Sequence, residues 1–167
     1  MPESHKPETA PQPPHESAGV STLLDTIGLS DFLCFAIYST SHAFNRVYKP
    51  LLDELGLTYP QYLVMVALWA ENDQTVGGLG AKIFLESSTL TPLLKRLEAL
   101  KYVSRRRDSG DERVVRVSLT DEGRALRQRA HDVPRCVLEA SGLSETQLRR
   151  LQAEITQLRE NLHKAGV

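Results

Sequence analysis

Residues 76–119 read VGGLGAKIFLESSTLTPLLKRLEALKYVSRRRDSGDERVVRVSL. A short helix follows Thr75 and reaches about Phe84. Ser87 or Ser88 then caps a second helix through Leu90, Leu93, Leu94, Leu97 and Leu100, with Pro92 tolerated because it lies near the first turn. After Lys101 the period changes. Tyr102 to Arg107 predicts a short strand, Asp108 to Glu112 a turn containing Ser-Gly-Asp, and Val114 to Leu119 a returning strand with Val115, Val117 and Leu119 on one face.

Helix, helix, two-stranded hairpin is the order of a winged helix-turn-helix, and charge agrees with it independently. The net charge of −1 hides a segregation: residues 1–75 carry three basic and nine acidic side chains, residues 76–116 nine and five, and residues 117–167 eight and seven. One middle segment holds the positive field. In such a module the second helix enters the major groove by its amino-terminal end, which assigns Ser87, Ser88, Thr89 and Thr91 to base edges or phosphates, with Lys95 and Arg96 one turn further on. The wing carries Arg105, Arg106, Arg107 and Arg113, long cations suited to phosphates or a narrow minor groove. An arginine run on an exposed hairpin standing alone is equally a solvated face.

Outward from this segment, apolar residues recur at helical spacing at Leu33, Ile37, Phe44, Val47, Leu51 and Leu55, with Pro50 expected to kink or divide the run. Thr58 and Gln61 form a capping box for a helix through Tyr62 to Leu68. On the other side Thr120 caps a fifth helix, interrupted by Pro134. Ser144 and Gln147 box a sixth, in which Leu148, Leu151, Ile155, Leu158 and Leu162 form a seam for a partner helix from the same chain or a second copy. Residues 1–20, with five prolines, lack the apolar surface to offset ordering entropy and are expected to be a disordered tail, where His5 and His15 are too loosely placed to hold a metal. The expected organisation is thus a tail over 1–20, a dimerisation and sensing helix over 21–57, the winged lobe over 58–120, and dimerisation helices over 121–167. The fold class is mainly α with a small β wing.

At 167 residues, 41% hydrophobic and 25% charged, the chain has the composition of one ordinary domain, with no apolar stretch near the roughly 20 residues of a membrane span. With no secretory signal pattern, the expected location is the cytoplasm. Two cysteines, Cys34 and Cys136, are too few for a secreted disulfide scaffold. There is no Gly-rich phosphate loop, no closely spaced Cys/His metal set and no nucleophile elbow, so neither metal nor cofactor is expected.

Cys34 sits in Leu-Cys-Phe-Ala-Ile, a setting that suits a packed small hydrophobe as well as a reactive thiol. Yet at about 100° per residue Cys34, Tyr38, Ser41, Asn45 and Tyr48 fall within about 40° of one line along the first helix. Hydroxyl donors aimed at sulfur stabilise a thiolate, the form that peroxides attack. Cys34 and Tyr48 are about 21 Å apart along a straight helix, so if both act on one thiol a second chain brings the tyrosine. His42 neighbours this stripe and is read as an ordinary histidine.

The stretch Asp111-x-Arg113, with Leu119-Thr120 after five further residues, resembles the wing signature of the MarR family of winged-helix repressors. The segments LCFAIYSTSHAF (33–44), YKPLLDELGLTYPQYLVMVALW (48–69) and LTPLLKRLEAL (90–100) narrow the likeness to its organic hydroperoxide resistance regulators, from about Leu33 to Pro134. The resemblance implies a homodimer on an inverted-repeat operator in double-stranded DNA. It implies a salt bridge from Asp111 orienting Arg113, a sensing cysteine at Cys34, and thiolate-stabilising tyrosines at Tyr38, Tyr48 and Tyr59. Some members cap the oxidised cysteine with an external thiol; others form a disulfide with a second cysteine in the partner's fifth helix. Cys136 lies in the corresponding helix, though its surroundings depart from the two-cysteine pattern and packing beside Val133 and Val137 is the alternative.

The function expected is therefore a repressor that leaves its operator when an organic hydroperoxide oxidises Cys34, and not an enzyme. A related alternative replaces the peroxide by a small phenolic or lipophilic ligand. A thiol peroxidase is the alternative from another class, opposed by the lack of a Cys-x-x-Cys pair.

Overall fold

The computed structural model describes residues 28–166; the expected tail over 1–20, with His5 and His15, lies outside them. The chain divides between Ser41 and His42 into two compact units. In the first, Leu29–Asp31 forms a 3-10 turn whose Asp31 carboxylate accepts the Gly28 N–H at 2.9 Å. Helix α1, Leu33–Asp53, starts beyond it and runs through Pro50 without dividing. The expected break does not occur because proline removes a single backbone donor, and so near the end of a helix little is left to disrupt.

In the second unit the structure is built from α2 (Tyr59–Ala70), β1 (Gln74–Thr75), α3 (Val76–Ile83), α4 (Ser87–Ala99), β2 (Val103–Arg107) and β3 (Val115–Leu119), followed by α5 (Asp121–Arg129), α6 (Val133–Ser141) and α7 (Glu145–Lys164). Gln61 Oε1 accepts the Thr58 N–H at 2.8 Å ahead of α2. Thr75 and Thr120 hydroxyls accept the Gly78 and Gly123 N–H groups, each at 3.0 Å, at the starts of α3 and α5. These short polar caps satisfy donors that a helix leaves orphaned at its first turn.

Three expectations are corrected. The wing is not a lone hairpin: β1 pairs antiparallel with β3, giving a three-stranded sheet in the order β1-β3-β2. A two-residue strand is too short to show an alternating period. Glu86, not Ser87 or Ser88, occupies the N-cap of α4, without a side-chain cap bond, and both serines fall in the first turn. The fifth helix is two helices, α5 and α6, with Pro134 in the first turn of the second, where its missing N–H costs nothing.

The core gathers Leu52 from the end of α1, Val64, Met65 and Leu68 from α2, Leu79 from α3, Leu90, Leu94 and Leu97 from α4, and Val103, Val117 and Leu119 from the sheet. The register sets Val103 opposite Leu119 and Arg105 opposite Val117. Helix α7 contributes no buried residue and leaves Leu151, Ile155 and Leu162 exposed. No helix among the described residues is long and apolar enough to cross a membrane.

The lobe is closed where α5 meets the turn before β2. The Trp69 indole N–H donates to the Gly123 carbonyl at 2.8 Å, and a Cβ on Gly123 would lie 2.0 Å from the Tyr102 carbonyl oxygen. Backbone cannot retreat from backbone as a side chain can. Gly123→Ala should therefore destabilise the lobe by about 2 kcal/mol or more, read as a fall of several degrees in the thermal midpoint; an unchanged midpoint would mean the two segments are not this close.

Candidate nucleic-acid interface and thiol site

The buried stripe Leu90, Leu94, Leu97 fixes the rotation of α4 and turns Ser87, Ser88, Thr89, Lys95 and Arg96 to solvent. Ser87 and Thr91 on α4 and Arg105, Arg113 and Val114 on the wing line one cleft of about 470 Å³. Helix and wing thus face a common space. The Thr91 hydroxyl donates to the Ser87 carbonyl at 2.7 Å, which leaves its oxygen as an acceptor for an incoming donor.

On sequence alone the wing arginines are equivalent cations; in the structure they are not. Arg105 donates through Nε to Glu98 at 2.9 Å, and its backbone N–H to the same carboxylate at 3.2 Å. Arg106 reaches both oxygens of Asp73 at 3.0 and 3.1 Å. Arg116, which the sequence did not single out, reaches Asp73 at 3.0 Å and Asp108 at 3.4 Å. Among the described residues Arg107 donates to the neutral Glu112 carbonyl, at 3.3 Å, and to no carboxylate, and the Arg113 guanidinium has no protein partner. The ion pair expected between Asp111 and Arg113 is absent. Asp111 Oδ1 instead accepts the Arg113 backbone N–H at 2.9 Å, an Asx-type turn that shapes the wing tip and leaves the guanidinium unengaged.

Sequence reading singled out none of Asp73, Glu98 and Asp108. The partners of Asp73 lie 33 to 45 residues away, while Glu98 and Asp108 meet theirs within eight residues but across the ends of different elements, where no helical or strand period links them. The Ser118 hydroxyl, then the Arg116 and Arg106 guanidinia, hold the Asp73 carboxyl below its usual range. Arg105 does the same for Glu98, and the Gly110 N–H, with Arg116 adding, for Asp108. All three remain partly open to solvent, which screens their ion pairs, so their value lies in geometry more than in stability.

In the second unit Tyr48 packs on Tyr59 with ring centroids 4.6 Å apart and on Tyr62 at 6.1 Å. Tyr48, Lys49, Thr58 and Tyr59 line a cavity of about 280 Å³. Burial, with Tyr59 and Tyr62 adding repulsion, pushes Tyr48 up to about 12; burial also raises Tyr59 and Tyr62. These phenols therefore remain hydrogen-bond donors throughout the neutral range. Tyr62, which the sequence placed only within the apolar run through Leu68, is the third member of this cluster.

In the first unit Cys34 is exposed, with Tyr38, also exposed, four residues on. Within the unit the packed small hydrophobe is thus not what the structure shows. Cys136 is half-buried on α6, between the buried Val133 and Val137. Among the described residues no group of three His, Cys, Asp or Glu side chains is placed to hold a metal ion.

A helix whose polar amino-terminal face shares one cleft with a wing defines a winged helix-turn-helix module. A family model described as "Transcriptional regulator SarA/Rot" matches residues 46–129. The HTH-type transcriptional regulator TtmR of Methylorubrum extorquens (strain PA1) is 46% identical over 143 residues, 85% of this chain and 73% of that protein. The organic hydroperoxide resistance transcriptional regulator of Bacillus subtilis (strain 168) is 41% identical over 140 residues, 84% of this chain and 95% of that one. Among solved structures, reduced AbfR bound to DNA superposes with a TM-score of 0.71 at 34% identity, over 85% of this chain and 99% of that one. The chain belongs to the MarR family of winged-helix transcriptional regulators, within its organic hydroperoxide resistance regulator group.

The tyrosine cluster makes an alkaline test available. Because the native state keeps the Tyr48 proton to about pH 12 while an unfolded tyrosine releases it near about 10, stability should fall as pH rises through that window. An ultraviolet phenolate titration should show a late-ionising tyrosine that disappears in Tyr48→Phe. A single unshifted step for every tyrosine would refute the buried cluster.

Proposed function

We propose that the chain is a homodimeric repressor that reads an inverted-repeat operator in double-stranded DNA and releases it when an organic hydroperoxide oxidises Cys34. The observation that carries the redox part is the exposure of Cys34 one helical turn from the Tyr38 phenol, the setting of an accessible thiol with a donor at hand. The exposed apolar residues of α7 support the dimer, since a seam of this kind is covered by a second helix. Two copies of α4 would then enter successive major grooves about one helical turn apart. AbfR is found on DNA in both its reduced and its overoxidized form, which supports DNA as the partner.

The chemistry is a two-electron transfer. The Cys34 thiolate attacks the distal oxygen of the hydroperoxide; the O–O bond breaks, and the alkoxide leaves and takes a proton from solvent to become the alcohol. Cys34 is left as sulfenic acid. It then condenses with a second thiol to a disulfide, releasing water. Tyr38, and Tyr48 and Tyr59 brought by the second chain, lose the thiolate their hydroxyls stabilised. If Cys136 of the partner subunit is the second thiol, the Cα atoms must come within about 7 Å, which would move α6 and the wing that follows its lobe.

A second reading keeps DNA binding and fills the Tyr48–Tyr59 cavity with a small phenolic ligand; its size, about 280 Å³, and its lining favour it. Cys34→Ser separates the two. Under an organic hydroperoxide, wild type should leave its operator and Cys34→Ser should remain bound, with affinity for DNA otherwise unchanged. Cys136→Ser should still respond but progress to irreversible sulfinic or sulfonic acid, and the covalent dimer on non-reducing gels should vanish in both variants. Release of Cys34→Ser by the same hydroperoxide would refute the thiol switch; a fully reversible response of Cys136→Ser without added thiol would leave only the one-cysteine form.

A further inference from the structure

The turn joining α2 to β1 holds an aspartate in an unusual state. Asp73 has φ of 58°, the left-handed region that aspartate and asparagine tolerate better than other side chains. Its carboxylate accepts from Arg106, from Arg116 Nε at 3.0 Å and from the Ser118 hydroxyl at 2.8 Å, and its backbone carbonyl accepts from Arg116 as well. Those donors lie 33 to 45 residues away, on β2 and β3. One half-buried carboxylate is thereby the meeting point of both wing strands.

We propose that Asp73 is a positioning residue that sets how selectively the wing meets DNA, by withholding Arg106 from phosphate and fixing Arg116 so that Arg107 and Arg113 remain the wing's cations. The proposal rests on the DNA-binding reading given above. Glu98 offsets Arg105, and Asp73 with Asp108 straddles Arg116. The Arg106 side chain is 55% exposed, so without its partner it is free to swing outward. A cation that reaches phosphate adds affinity for every sequence alike, and therefore lowers the ratio of operator to random binding. The turn itself has an independent tether, because Asn72 Oδ1 accepts the Leu119 N–H at 2.8 Å. Removing the Asp73 charge thus frees arginine without detaching the wing.

The test uses the reduced, full-length protein and measures affinity for operator and for a random duplex across a salt series. Asp73→Asn keeps the left-handed turn and an acceptor for Ser118 while removing the charge. It should bind random DNA about threefold to tenfold more tightly at low salt, with a log–log slope steeper by about 0.9 for each phosphate gained, and its operator-to-random ratio should fall. Adding Arg106→Ala should return the slope to that of wild type. In the wild-type background Arg106→Ala should leave the slope unchanged, whereas Arg113→Ala should flatten it by about 0.9. A parallel loss at both DNAs with no change of slope, or a steeper slope that persists without Arg106, overturns the proposal. Wild type that prefers no DNA sequence overturns the DNA-binding reading itself; selective wild type with an indifferent Asp73→Asn overturns this inference alone.

Discussion

Burial of three leucines on one stripe of α4 governs everything on the opposite face. Leu90, Leu94 and Leu97 are almost wholly inaccessible, and each fully buried side chain is worth about 1.5–3 kcal/mol relative to exposure. Rotating the helix to bring Ser87 or Ser88 inward would expose that stripe and bury hydroxyls without partners. The helix therefore has one rotation, and the polar face it offers to the cleft is set by packing on its far side. The wing has no comparable core behind its tip. Beyond the core residues Val103, Val117 and Leu119, its outer part is held by carboxylates of Asp73, Glu98 and Asp108 rather than by apolar packing.

The division between what the sequence showed and what it hid follows the range of the interactions. Caps at Thr75, Thr120 and Ser144, the leucine stripe of α4, and the alternation of Val115, Val117 and Leu119 are local patterns, legible because each depends on residues a few positions apart. Pro50 stands only three residues before the end of α1 at Asp53, and its effect depends on that position, which the proline itself does not reveal. β1 was hidden because two residues have no period. Pro134 marked the interruption between α5 and α6 in the sequence, but not that the second piece is a separate helix with the proline in its opening turn.

The same division applies to the site. The thiol, the helix hydroxyls and the arginine run are chemistry-bearing residues that composition exposes directly. Their electrostatic state is a tertiary property: Arg105 and Arg106 are offset by Glu98 and Asp73, and Arg113 is not, although all stand in one basic segment. Counting positive charges along the sequence thus overstates the field that DNA would meet. Asp73 itself left one trace in the sequence, an Asn-Asp pair after an apolar helix, which marks a turn but not its partners.

Under the proposed function, DNA is held by the reduced protein and released by oxidation at a single sulfur. The most direct measurement titrates the protein–operator complex with an organic hydroperoxide, following DNA release and the intact mass of the chain in the same samples. The account predicts that release tracks oxygen addition at Cys34, or its disulfide product, and is complete at about one equivalent per chain, with no further peroxide consumed. Operator still fully bound when Cys34 is fully oxidised, or release without any change at Cys34, would contradict it.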